Sequence, residues 1–197
     1  MKRKKRNFFV EQYSKSWDYI NESKNYIFII IAIFVLFFLF AFFVSPSQDI
    51  QNSLMTFLQE LLEKTKDYNQ LEMTLFLFFN NLQSSFFGFI FGLLFGIFPI
   101  LSAIINGYVV GFVSALSVES SGILSLLSLL PHGIFELPAV FISLGMGLRF
   151  GTFIFKKNIK KYFIYFFSNG LRVFIFVVIP LLFIAAIIEG ALIFLIR

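Results

Sequence analysis

Residues 26–44 run Tyr-Ile-Phe-Ile-Ile-Ile-Ala-Ile-Phe-Val-Leu-Phe-Phe-Leu-Phe-Ala-Phe-Phe-Val without a single charge. As a helix at ~1.5 Å per residue this run matches the ~30 Å hydrocarbon core of a bilayer. Further apolar stretches at 73–98, 100–117, 133–155 and 171–196 are each long enough to cross as helices. Five such runs predict an all-α membrane protein, a polytopic bundle of about five transmembrane helices with flanking amphipathic or re-entrant helices. Backbone groups in hydrocarbon must be satisfied within the segment, which helices do. Composition agrees: 58% of the residues are hydrophobic and 14% charged, against about 25% charge in a typical soluble domain.

The flanks of these runs set the expected topology. Basic residues gather in Lys2-Arg3-Lys4-Lys5-Arg6 and in Lys156-Lys157-Asn158-Ile159-Lys160-Lys161. Five crossings put both clusters on one side, as the positive-inside rule asks, with a cytoplasmic N-terminus and an extracytoplasmic C-terminus in the cell membrane. The net charge of +5 is read as attraction to anionic lipid, and no nucleic-acid partner is expected. Residues 1–25 form a cytoplasmic basic amphipathic segment, with Phe9, Tyr13, Trp17 and Ile20 at helical spacing. The following run starts too late and is too long for a signal peptide, so it reads as an uncleaved first span within a single transmembrane domain, 26–196. Residues 45–72 are an external segment whose Ile50, Leu54, Phe57, Leu58, Leu61 and Leu62 recur at helical spacing. Residues 119–131 read as a re-entrant or interfacial stretch, and 162–168 as an inner-interface stretch ending at Asn169-Gly170. With no cysteine the chain has neither a disulfide frame nor a thiolate nucleophile.

Two kinds of pattern interrupt the apolar background. Gly88, Gly92 and Gly96 repeat every four residues, and Gly107, Gly111, Gly147 and Gly151 add further small positions that let helices approach closely. They permit packing within one chain or between copies. Pro99 is expected to end the second span, and Pro138 to kink the fourth. The other pattern is polar. The only histidine, His132, stands four residues before Glu136, one turn below it on a helix. On the five-span topology Asn80, Asn81, His132, Glu136 and Glu189 all fall in the outer half of the membrane. They are read as one polar intramembrane cluster, since ionisable groups at that depth mark functional sites. Arg149 is expected to snorkel to the inner interface. One histidine without cysteine is a poor metal signature, and neither Gly-x-Ser-x-Gly nor His-Glu-x-x-His occurs. No metal, cofactor or catalytic residue is expected.

Asn80-Asn81, the glycine series ending at Pro99, Asn106-Gly107-x-x-x-Gly111, Pro131-His132-Gly133-x-x-Glu136-Leu137-Pro138-Ala139 and Gly145-x-Gly147-x-x-x-Gly151 occur in that order. With them the chain resembles the stage II sporulation protein M family, best over residues 74–155. The resemblance implies a multi-span membrane protein with a cytoplasmic N-terminus. In endospore formers it implies one that anchors or localises the peptidoglycan-remodelling stage II sporulation proteins D and P. Similar proteins occur in archaea and in bacteria that form no spores. Its motif falls on His132, Glu136 and Asn80/Asn81. The expectation is therefore a non-enzymatic membrane scaffold that holds membrane or extracytoplasmic partner proteins. The alternative is a small transporter, or an ion- or lipid-handling protein, that uses the His/Glu/Asn cluster as a relay.

Overall fold

The structure, a computed structural model, describes residues 7–196, with the side chains of residues 128–132 and 196 excepted. The basic cluster at 2–6 and Arg197 lie outside the described residues. Among the described residues seven α-helices follow one another: α1 Phe8–Phe43, α2 Gln48–Thr65, α3 Gln70–Ile90, α4 Ile97–Ser121, α5 Leu130–Gly151, α6 Ile159–Val173 and α7 Ile179–Ile196. Five stretches of the described residues are long and apolar enough to cross a membrane: Phe8–Phe43, Gln70–Leu93, Ile97–Ser121, Gly133–Phe155 and Ile159–Leu195. The protein is an all-α, polytopic membrane bundle. No strand occurs among the described residues.

Local sequence explains where the elements differ from expectation. The amphipathic segment and the first span are one helix of 36 residues, with no break near residue 25. At ~1.5 Å per residue α1 is roughly 54 Å long, well beyond a ~30 Å core, so its N-terminal third extends past the hydrocarbon and packs on α6. Pro99 does not end the second span. The chain turns earlier, through a 3₁₀ turn at Phe91–Leu93 and then Phe95 and Gly96 at φ 57° and 72°. Phe95 is the one described non-glycine residue with positive φ, and it holds that conformation where α3 hands over to α4. Pro99 then falls in the first turn of α4, where its missing N–H has no carbonyl to serve.

Asn169-Gly170 is likewise no boundary. Both residues lie inside α6, and the helix continues through a π-helical turn, Phe174–Val178, into α7. Pro180 explains that turn: its ring would strike the carbonyl four residues back, and one wide turn relieves the clash without ending the helix. Residues 123–129 form a 3₁₀ segment whose Ile123 and Leu124 are exposed.

Glycine fixes how the helices meet. α3 and α5 run parallel and share a seam. A Cβ at Gly92 would strike the Gly147 carbonyl, one at Gly147 the Gly88 carbonyl, and one at Gly151 the Gly96 nitrogen and the Gly92 oxygen. α4 lies along α1 in the same way: Gly107 meets the Phe34 carbonyl and Gly111 the Phe38 carbonyl. Gly145 abuts Ile27 of α1, and Gly170 of α6 receives the Phe89 ring. Where the backbones touch, the buried Ser143 hydroxyl donates to the Ser85 carbonyl at 2.8 Å, joining α5 to α3. Around this seam Phe89, Met146, Phe150, Phe166, Val173, Phe174 and Leu182 form the core. Phe89 stacks on Phe150 with ring centres 5.8 Å apart.

One end of the bundle holds the start of α1 and the 156–161 basic loop; the other holds α2, the start of α3 and the end of α7, where Gly190 meets Thr74. Because the seam is backbone against backbone, Gly147→Ala should destabilise the protein by about 1–3 kcal/mol or more, as overpacked cores do. Gly133→Ala, whose added methyl meets only Leu137 at 3.8 Å, should leave the thermal midpoint in detergent unchanged or raise it.

Candidate functional site

The polar residues singled out in the sequence separate by helix phase. Glu136 is 6% exposed on α5, two turns before Ser143 on the stripe that faces α3. Asn81 is half-buried and one turn before Ser85, so it shares the α3 stripe that meets α5. Glu189 is half-buried one turn beyond the buried Ala185 and Ala186 of α7, beside the Gly190 that meets Thr74. The register of the seam, Ser143 against Ser85, puts Glu136 level with Phe78. It thereby lies within about two turns of both Asn81 and the Thr74–Gly190 contact. Asn80 differs. It is exposed, its amide reaches only the Asn81 oxygen at 3.5 Å, and it lines an open groove with Lys64, Tyr68, Glu72 and Phe79. The structure does not bring Asn80 to the α5-facing stripe. The His132 side chain lies outside the described residues. Among the described residues no three histidine, aspartate or glutamate side chains gather as metal ligands would.

A second polar centre, at the opposite end, is marked by no motif in the sequence. Arg149 is 12% exposed in its side chain and ties three helices together. One guanidinium nitrogen donates to Glu22 at 2.8 Å and the other to the Ser23 hydroxyl at 2.9 Å. The group sits over the ring of Tyr19 at 4.6 Å and of Phe166 at 5.0 Å. Tyr165 donates to the same Glu22 oxygen at 2.9 Å. Nearby, Arg172 of α6 donates to Gln12 of α1 at 2.8 Å and to Asn169 at 2.5 Å. Arginine suits such a site because a planar, weakly hydrated cation can stack and donate at once. The only signal in the sequence was depth: Glu22 precedes the first span and Arg149 ends the fourth, so both reach the same boundary.

The Arg149 hydrogen bond holds the Glu22 carboxyl below its ordinary value near 4.5, with the Tyr165 hydroxyl adding to the effect against a desolvation penalty. A depressed carboxylate pKa stabilises the fold above the unfolded value, and that contribution disappears as pH falls through the folded one. Arg149→Met removes its hydrogen bonds to Ser23 and to Glu22, the latter about half exposed and so screened by solvent, and should cost about 1–2 kcal/mol at neutral pH. The stability difference between the native chain and Glu22→Gln should shrink on acidification. Thermal midpoints in detergent at several pH values check both; a gap that widens toward acid would contradict the assignment.

A family model described as stage II sporulation protein M matches residues 29–192. No curated protein and no solved structure matches the chain. The matched region begins within α1 and ends within α7, so it takes in the glycine seams, Glu136 and Arg149.

Proposed function

The chain belongs to the stage II sporulation protein M family, and we propose that it is a non-catalytic, multi-pass membrane scaffold that holds partner proteins at the end carrying α2. The observation that supports this is the exposure of α2. Its apolar face keeps Ile50, Phe57, Leu61 and Leu62 open, although both ends of the helix are fixed to membrane-spanning helices. Among the described residues α2 meets the bundle at its last turn, where Lys64 stands 5.3 Å from the Phe76 ring, and Tyr68, just beyond the helix, meets that ring edge-on. A large unpartnered apolar surface held at a fixed height suits the docking of another protein.

The orientation follows from charge. The basic loop at 156–161 lies at the same end as the start of α1, and the positive-inside rule assigns that end to the cytoplasm. α2, with Asp49, Glu60, Glu63 and Asp67, then faces the extracytoplasmic side. This fits the anchoring role that the family resemblance implies.

Burial of Glu136 inside a span favours a second reading, proton- or ion-coupled transport, because an intramembrane carboxylate is the expected part of a relay. The two readings diverge under substitution. Phe57→Glu with Leu61→Glu should abolish recovery of a partner cross-linked in intact membranes while leaving the helix content and thermal midpoint unchanged; unaltered recovery would refute the scaffold site. Glu136→Gln should leave that recovery intact. Loss of an ion flux in reconstituted vesicles on that substitution would favour the relay.

A further inference from the structure

The outward face of α3 carries hydrogen-bonding groups where a lipid-facing helix should carry none. Asn80, Gln83 and Ser84 are exposed, within a span that runs Gln70–Leu93. Counted from Met73, where the apolar run begins, Asn80 lies about 10 Å and Gln83 about 15 Å along the helix, inside a ~30 Å hydrocarbon layer. Among the described residues Gln83 makes no hydrogen bond and Asn80 only the long one to Asn81. Amides at that depth need polar partners, and lipid ester groups, confined to the interface, do not reach them.

We infer that this α3 face is a self-association site, on which Asn80 and Gln83 pair with the same residues of a second copy of the chain. Two arguments select that occupant. Copies inserted in one orientation place each residue at the same depth, so a two-fold axis along the membrane normal sets Asn80 against Asn80 and Gln83 against Gln83. An amide carries both donors and an acceptor, so each pairs with its own kind, whereas a carboxylate or ammonium meeting its twin would repel it. The relief of the face is also suited to a helix ridge. An open groove of about 500 Å³, lined at its outer end by Lys64, Tyr68 and Glu72, flanks the amides on the side of Leu75 and Phe76, and a second of about 300 Å³ lies on the side of Phe86 and Phe174. Phe79 and Gln83 border both grooves, so they form the ridge between them.

The absence of cysteine makes the test direct. Asn80→Cys, Gln83→Cys and, as a lipid-facing control on α4, Ile105→Cys (60% exposed in the native chain) are each introduced into the full chain and oxidised in native membranes. Positions 80 and 83 should yield disulfide-linked dimers of this chain at least about tenfold more than position 105, the ratio expected if paired amides hold the copies together. Equal yields, no dimer, or an adduct with a different protein at positions 80 and 83 would overturn the inference. In a second measurement, energy transfer between labelled copies in vesicles should fall in Asn80→Leu/Gln83→Leu with helix content retained. Transfer that persists would overturn it, as would a monomeric native chain that loses only bound lipid in the double variant.

Discussion

In a bilayer an apolar side chain gains little by leaving lipid for protein, so helices stay together only where their surfaces fit closely or their polar groups pair. This chain meets that constraint through glycine. Gly88 of α3 and Gly92 of the 3₁₀ turn that follows it interlock with Gly147 and Gly151 of α5, close enough that the Gly88, Gly92 and Gly147 carbonyls take space that a methyl on the facing glycine would fill. A second set, Gly107 and Gly111, brings α4 onto α1. The short approach makes the rest possible. It lets the Ser143 hydroxyl reach a backbone carbonyl on the neighbouring helix. It also sets the register that holds Glu136 in the interior, level with Phe78 and within a turn of Asn81 along the helix axis.

The two ends of the bundle are built differently. At the basic-loop end Arg149 gathers Glu22, Ser23, Tyr19 and Phe166, so that α1, α5 and α6 are joined by charge, hydrogen bonds and stacked rings. At the other end α2 stands off with its apolar face open. A firmly tied base and an unoccupied platform form a natural division of labour for a protein proposed to hold others in place. Glu136 lies buried toward the α2 end, where a polar group must be satisfied within the protein whatever else it does.

The spans were legible in the sequence because hydrophobic length is a local property, and the glycine repeats because four-residue spacing on a helix defines a stripe. What was hidden depends on neighbours or on phase. Asn80 and Asn81 are adjacent in sequence, but 100° apart around a helix, and only the position of α5 decides which of them turns inward. The pairing of Glu22 with Arg149 spans most of the chain and follows from no local pattern. Pro99 and Pro180 were visible as breakers, yet each is absorbed: one opens a helix, the other sits behind a π turn. Asn169-Gly170 looked like a turn, but Gly170 is there to admit the Phe89 ring.

Everything rests on α3 and α5 lying in direct contact as parallel neighbours. The most direct measurement is intramolecular disulfide formation between Ser85→Cys and Ser143→Cys in the full chain, oxidised in native membranes. Because the Ser143 hydroxyl lies 2.8 Å from the Ser85 carbonyl, the pair should close within single chains and shift their mobility under non-reducing conditions. Two free thiols persisting after oxidation, in a chain otherwise folded, would contradict the seam and the architecture built upon it.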